Sequence, residues 1–318
     1  MARNKKTSMT LFQFMNLLIA LLLKNGQLRT MQHYKATLNS YMRFRDNKDI
    51  TFKEIDAKEM QSYEAYLKNV VKVCNNTSSF YLRILRATYN KAVEKGYATQ
   101  QKPFKDVYTG IAKTNKRAIP TESVSSIKRL DTTKALTPKQ ELARDTFMLC
   151  FYLRGISFID LAHLRKSDLK DGFISYTRSK TGQRISIRWE KEMQDIVNKY
   201  QAKNADSTYL FPFLASGTNS KNGTLQDKRQ DELRLYHNAE SRITYHLKKL
   251  GAKMGVTGKL TLYVARHTWA TTARDNQVPI SVISMALGHN SETTTQIYLR
   301  SIQSSEVDDA NAKILAAI

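Results

Sequence analysis

Residues 261–300 read TLYVARHTWATTARDNQVPISVISMALGHNSETTTQIYLR. Ile280, Ile283 and Leu287 recur at helical spacing, Gly288 ends that helix, His289 is left on a turn, and Ser291 caps a following helix that carries Tyr298. With Arg266 on the element before them, this stretch predicts three neighbouring elements of a helical array that offer an arginine, a histidine and a tyrosine. Two short helices around a glycine-containing turn also fit a helix-turn-helix reader of DNA. The pattern by itself leaves both readings open.

Upstream of this stretch, Phe173 to Lys180 and Arg184 to Trp189 alternate in polarity, the second through Ile185, Ile187 and Trp189. Lys180, Thr181, Gly182 and Gln183 lie between them, which predicts an antiparallel hairpin with Lys180 at its tip. The domain opens at Thr137, an N-cap followed by Pro138 and by Gln140, which closes a capping box. Ala143, Phe147, Cys150 and Phe151 form its buried stripe. Ser157 and Asp160 make a second start signal before Leu161 and Leu164. Phe211 to Phe213 suggest a buried turn, 216–223 a flexible loop, and Leu233 to Leu250 a further helix.

The first third reads as a small helical bundle. The apolar run Leu11 to Leu23 follows Lys5 and Lys6, but Gln13 and Asn16 interrupt it, no small-residue cleavage pattern follows, and it is too short to span a bilayer. A packed helix ending near Gly26 is expected. Tyr34, Leu38 and Tyr41 mark a second helix, and Asp56 with Glu59 starts a third before Met60, Tyr63 and Leu67. From Ser78 to Gly96, Tyr81, Leu85, Tyr89 and Ala92 repeat with Arg83, Arg86, Lys91 and Lys95 between them. Periodicity fades from Val107 to Leu130, where Lys113, Lys116, Arg117, Lys128 and Arg129 face one acid, Glu122, as in a basic linker. The resulting boundaries are a helical domain over 1–112, a linker over 113–130, a second domain over 131–304 and a tail over 305–318.

Composition narrows the function. In 318 residues, 51 Lys and Arg against 28 Asp and Glu leave a formal charge of +23. Such an excess suits a polyanion, either nucleic acid or an anionic membrane surface. With 12 Gly and 5 Pro, helices should dominate. Cys74 and Cys150 fit no metal-ligand spacing and read as reduced core residues of a cytoplasmic protein. Phosphate-cradling glycine loops, G-x-S-x-G and H-E-x-x-H are all missing, and the six histidines are scattered.

Two boxes, A-R-H-T-W-A-T at 265–271 and L-G-H-N-S-x-x-T-T-x-x-Y at 287–298, in this order and separation, resemble the tyrosine recombinases, also called lambda-type integrases. The resemblance runs from the helical N-terminal domain to the C-terminal tyrosine. It implies a mainly α fold: a helical core-binding domain plus an α-rich catalytic domain with a small antiparallel sheet, clamping duplex DNA. It implies that Tyr298 attacks a DNA phosphorus to form a 3'-phosphotyrosyl bond and free a 5'-hydroxyl, so that neither metal nor ATP nor any other cofactor is required. Arg266 would grip a non-bridging oxygen, His289 would support the same phosphate, and Lys180 would protonate the departing 5'-oxygen. Arg83, Arg86, Lys91, Lys113, Lys116 and Arg117 would contact the DNA backbone.

Two positions depart from the family pattern. Its H-x-x-R reads Tyr263, Val264, Ala265, Arg266 here. A phenol, with a reference pKa of about 10, is a poor base at neutral pH, so Tyr263 is expected to position the phosphate, and the base that activates Tyr298 is left open. The family's first arginine falls on Ser157. Arg154, three residues earlier, is the sequence's candidate to reach the phosphate instead; a surface arginine at a helix end fits as well. The string L-R-G-I-S-F-I-D resembles integrases of mobile elements and invertible switches of gut anaerobes.

In the 305–318 tail, Val307, Ala310, Ile314 and Ile318 share a helical face. It would dock on a neighbouring protomer or on its own domain. The implied partners are double-stranded DNA with specific recombination sites, three further copies in a homotetramer on paired sites, and accessory DNA-bending proteins, with no membrane. The implied activity is site-specific recombination: integration, excision, or inversion as in phase variation. A type IB topoisomerase and a non-catalytic DNA-binding regulator are the alternatives.

Overall fold

Thr10 begins the first helix by accepting from the Gln13 amide while the Gln13 side chain returns to the Thr10 amide, a capping box. The computed structural model describes residues 9–112, 118–130, 136–214, 224–256, 258–300 and 315. It divides the chain into two units, Met1–Lys113 and Thr114–Ile318.

In the first unit, α1 (Leu11–Lys24), α2 (Leu28–Phe44), α3 (Ala57–Ala65) and α4 (Asn75–Glu94) follow in order. Phe12, Met15, Tyr41, Tyr63, Leu82, Leu85 and Tyr89 belong to one core. Burying tyrosines requires partners for their hydroxyls. Tyr63 accordingly donates to Ser40 Oγ at 2.8 Å and Tyr41 to Glu59 Oε1 at 2.7 Å. Cys74 is not a core residue: it is exposed at the N-cap of α4, whereas Cys150 is buried. The α4 start explains the difference, because the apolar period begins only after its first turn.

The second unit contains α5 (Thr121–Arg129), α6 (Pro138–Tyr152), α7 (Phe158–His163), α8 (Lys191–Tyr200), α9 (Leu225–Lys253), α10 (Leu262–Asp275), α11 (Ile280–Leu287) and α12 (Glu292–Arg300). Residues 121–129, expected to be irregular, are helical. Their two buried apolar residues, Val124 and Ile127, give too short a stripe to register as a period. Helix α9 starts eight residues before the expected Leu233, at a capping box of Thr224 and Asp227 that precedes a polar, stripe-free stretch. The expected loop at 216–223, together with Lys113, Lys116, Arg117 and the tail face at Val307, Ala310, Ile314 and Ile318, lies outside the described residues.

Helix α6 is the axis of this unit, buried on every side from Ala143 to Cys150. It holds a buried ion pair in which Asp145 accepts from Arg144 Nε at 2.8 Å, Tyr200 Oη at 2.9 Å and Lys199 Nζ at 3.3 Å. The sheet is β1 (Leu169–Lys170), β2 (Phe173–Thr177) and β3 (Arg184–Arg188), antiparallel in that order, with Ile174 opposite Ile187 and Tyr176 opposite Ile185. Ile174, Ile185 and Ile187 face the core. Ala270, Ile283, Leu287, Tyr298 and Leu299 form a separate small cluster that fixes α10, α11 and α12 together. Among the described residues, no helix is long and apolar enough to cross a membrane.

Candidate active site

Arg266 projects from the second turn of α10 and is only 3% exposed. Its Nη1 donates to the Gly155 carbonyl at 2.7 Å and its Nη2 to the Leu287 carbonyl at 2.6 Å. Gly155, at φ +72°, lets the chain after α6 pass so closely that a Cβ there would lie 2.7 Å from Arg266 Cγ and 2.8 Å from its Cα. Gly288 plays the same part at the end of α11, with φ +62°, where a Cβ would lie 2.9 Å from Arg178 Cδ. Each glycine also supplies a carbonyl, since Arg178 Nη1 donates to Gly288 O. Two arginines are thus seated on two glycines.

The β2–β3 hairpin delivers Arg178. Its amide donates to Gln183 O at 2.8 Å, closing the tip, and its side chain turns inward to only 7% exposure. Two further side chains of the tip reach the same turn: Thr181 Oγ1 donates to Gly288 O at 3.2 Å and Gln183 Nε2 to His289 O at 3.1 Å. Lys180 is exposed between these anchors, so the hairpin carries it beside the His289 turn.

The remaining groups follow from α10 and α12. His289 Nε2 lies 3.2 Å from Arg266 Nη2 and its Nδ1 lies 2.8 Å from Thr295 Oγ1. A guanidinium can only donate, so Nε2 accepts and the ring proton sits on Nδ1, toward the fully buried Thr295. Tyr298 is 5% exposed, and its Oη lies 2.5 Å from His267 Nδ1, with the two rings stacked at 23° and 5.0 Å between centroids. Tyr263 is exposed and sets its ring edge on His267, at 4.7 Å between centroids.

The electrostatics suit an anion, because two buried guanidiniums stand side by side. Burial, then the neighbouring Arg178 charge, pull the Arg266 pKa down, while Tyr298, Tyr263 and Tyr176 act in the opposite sense. Among the described residues, no carboxylate stands with these strongest neighbours. The Nε of Arg266 is buried without a hydrogen-bond partner among the described residues, although buried donors are nearly always paired. Burial also raises the Tyr298 phenol above its ordinary value, with Tyr263 adding to the rise and Arg266 and Arg178 opposing it. The phenol is therefore a neutral O–H donor at physiological pH.

The fold brings Tyr298, Arg266 and His289 together, with Lys180 on the adjoining tip and Tyr263 at the rim. Arg154 is half-buried at φ +55° just beyond α6, and among the described residues it makes no hydrogen bond or ion pair with Arg266, His289 or Tyr298. Ser157 stands at the start of α7, but its hydroxyl donates to Asp160 Oδ2 at 2.6 Å in place of capping a backbone amide. Asp160 Oδ1 in turn receives the Ser179 amide at 2.8 Å, which anchors the hairpin. Two residues escaped the sequence reading. Arg178 follows Ile174 and Tyr176 at the period-2 spacing of the inner face, and His267 lies four residues after Tyr263 on one helical face.

In the first unit, Arg86 on α4 is exposed and Arg83 and Lys91 are half-buried. Arg83 Nε donates to Ser79 O at 3.4 Å, Arg86 Nη1 to Thr109 Oγ1 at 2.7 Å, and Lys91 Nζ sits 5.5 Å from the centroid of the Tyr34 ring. All three cations are held locally and keep donors to spare.

This geometry sets one tyrosine beside two buried guanidiniums and two imidazoles. The chain belongs to the phage integrase family, which it matches over residues 122–304, and residues 10–109 match the phage integrase SAM-like domain. A curated relative is tyrosine recombinase XerA of Pyrococcus furiosus, 28% identical over 166 residues, which are 51% of this chain and 52% of XerA. The chain thus spans about half the length of that relative. Among solved structures, a lambda integrase tetramer bound to a Holliday junction has a TM-score of 0.62 at 16% identity, covering 92% of this chain and 78% of that one. The Tn1549 transposon integrase in complex with a circular intermediate DNA has a TM-score of 0.63 at 16% identity, covering 97% and 100%. At such identities these structures establish the fold.

Proposed function

We propose that this chain is a site-specific DNA recombinase that acts in the cytoplasm on duplex DNA. The observation that carries the reading is the Tyr298 phenol beside two buried guanidiniums, Arg266 and Arg178. A phosphodiester placed there satisfies Arg266 Nε and offsets the Arg178–Arg266 repulsion. Tyr298 Oη attacks phosphorus, Lys180 gives a proton to the departing 5'-oxygen, and the 3'-phosphotyrosyl ester keeps the energy of the broken bond for rejoining. Removing one such donor from an oxyanion costs about 10²–10³ in rate.

In this reading Arg178 takes the place left by Ser157, and Arg154 is not required. Arg178→Ala should slow cleavage about 10²-fold or more, whereas Arg154→Ala should leave it near the parent rate. Arg83, Arg86 and Lys91, with Lys113, Lys116 and Arg117, contact the backbone, each neutralised phosphate adding about −0.9 to the slope of log affinity against log salt. Four copies on two sites are the working assembly, a reading supported by the lambda integrase tetramer on a Holliday junction.

The test is covalent. The protein is incubated with a random-sequence duplex pool carrying nicks, so that a short freed strand diffuses away, and SDS-stable adducts are recovered and digested. Mass spectrometry should place a nucleotide on Tyr298, and Tyr298→Phe should yield none. An adduct on another side chain, or no adduct at all, overturns the reading.

A further inference from the structure

Resting on the recombinase reading, we infer that His267 takes the phenolic proton of Tyr298 as its oxygen attacks phosphorus. The two groups already make the required hydrogen bond, 2.5 Å from Oη to Nδ1, inside a site where His267 is 6% exposed and Tyr298 5% exposed. Ring stacking at 5.0 Å holds the imidazole against the phenol, and the Tyr263 ring edge closes its other side at 4.7 Å. Geometry comes first in choosing a base, and His267 has it.

The rival imidazole is otherwise engaged. His289 Nε2 accepts from Arg266 Nη2 and its Nδ1 faces Thr295, so one nitrogen serves the guanidinium that would hold the phosphate and the other is taken up by a buried hydroxyl. Tyr263 carries a phenol where a base would be needed and touches His267 itself.

The surroundings make the transfer conditional on DNA. Among the described residues, Tyr263 and Arg266 on the same helix, His289 from the turn and Arg178 from the hairpin stand around the His267–Tyr298 pair. Helix α11 carries no titratable residue, and on α6 Arg144 and Asp145 are occupied with each other and with Lys199 and Tyr200. Two guanidiniums act on this pair, and a phosphate bound between them offsets their repulsion of the new imidazolium. The scissile phosphate is that anion, so deprotonation of the phenol is favoured where there is phosphorus to attack.

The step balances. The Oη–H bond breaks and Nδ1–H forms; Oη–P forms as P–O5' breaks; the 5'-oxygen takes its proton from Lys180. Rejoining returns each proton to its origin.

Nicked duplexes recovered as adducts with the parent protein serve as the probe, in two forms, with oxygen or sulfur at the bridging 5' position. A thiolate leaves without a proton, so sulfur should restore Lys180→Ala and not a variant that lacks the base. His267→Asn keeps an oxygen near the Nδ1 position that accepts a hydrogen bond yet cannot hold the proton. Its adduct formation should fall about 10²–10⁴-fold on both substrates, and the loss of rate toward acid pH seen with the parent should disappear. A purely positioning histidine would be rescued by asparagine. His267→Asn at the parent rate, or with the parent's acid limb intact, overturns the inference. So does a parent rate on the sulfur substrate that stays flat through the imidazole range, a measurement that needs no variant. Failure of the recombinase reading looks different, as absence of any parent adduct on Tyr298.

Discussion

Replacing Gly155 with alanine separates a backbone cost from a packing cost at the arginine on which the site depends. At φ +72° a residue with a Cβ pays about 1–2 kcal/mol for the left-handed region. The added carbon would also lie 2.7 Å from Arg266 Cγ and 2.8 Å from its Cα. The second of these atoms is helix backbone, which cannot swing aside, so overpacking adds about 1–3 kcal/mol. Gly172 isolates the first cost, because its φ is +74° and a Cβ there would meet nothing within 4 Å. Urea unfolding followed by tryptophan fluorescence reports this unit alone, since Trp189 and Trp269 are the chain's two tryptophans. Gly172→Ala should lower stability by about 1–2 kcal/mol and Gly155→Ala by about 2–5 kcal/mol, with DNA cleavage lost only in the second. Equal midpoints for the two variants, at equal slopes, would refute the close approach of Gly155 to Arg266.

Asp145→Asn removes the nearer of two carboxylates on the buried Arg144 guanidinium, leaving only Glu141 at 3.6 Å, and should cost about 3 kcal/mol in the same urea assay, the low end for a broken buried pair; a loss below 1 kcal/mol, as for an exposed pair, would contradict the packing of α6. His163 and Glu232 pair at 3.4 Å. Although burial works against it, the hydrogen bond to Glu232 raises the His163 pKa above its ordinary 6.5, and the same bond lowers Glu232 below 4.5. The histidine's contribution is complete below pH 6.5 and fades as pH rises through its folded value, while the glutamate's is complete above pH 4.5 and fades on acidification. Stability lost in Glu232→Gln should therefore be greatest between those limits, and a pH-independent loss would count against the pair. Burial raises the phenols of Tyr176, Tyr200 and Tyr298 in the second unit; each favours the unfolded chain once pH exceeds about 10, so urea midpoints should drop between about pH 9 and 11. Arg178→Lys replaces a fork by a point charge and should slow adduct formation about 10²-fold at unchanged DNA affinity; full activity would remove Arg178 from the phosphate.

What was legible in the sequence was what local chemistry dictates. A glycine stop, a serine cap and an i, i+3, i+7 stripe mark α11 and α12 without reference to the rest of the chain, so Arg266, His289 and Tyr298 could be assembled before any coordinates. The stripe was not perfect, since Ile280 proves 38% exposed. Contacts between distant segments were hidden. Arg154 and Arg178 are both basic residues near the missing arginine position, and only the docking of the hairpin on the Gly288 turn shows which of them is drawn inward. His267 sits beside Arg266 in sequence but meets its partner 31 residues later, a pairing that depends on how α12 crosses α10. Helix α5 escaped for the opposite reason: two apolar residues in nine carry too little signal, and burial against α6 supplies the rest.

The seam between the hairpin tip and the turn at 288–289 ties Arg178, Thr181 and Gln183 to two consecutive carbonyl oxygens. If Lys180 and Arg178 act as proposed, leaving-group protonation and phosphate capture are mounted on a single jaw. A strand that is gripped is thereby presented to the ammonium of Lys180, and one that slips loses both at once. Lengthening the tip by even one residue would put the two halves of the reaction out of step while leaving every reactive group present.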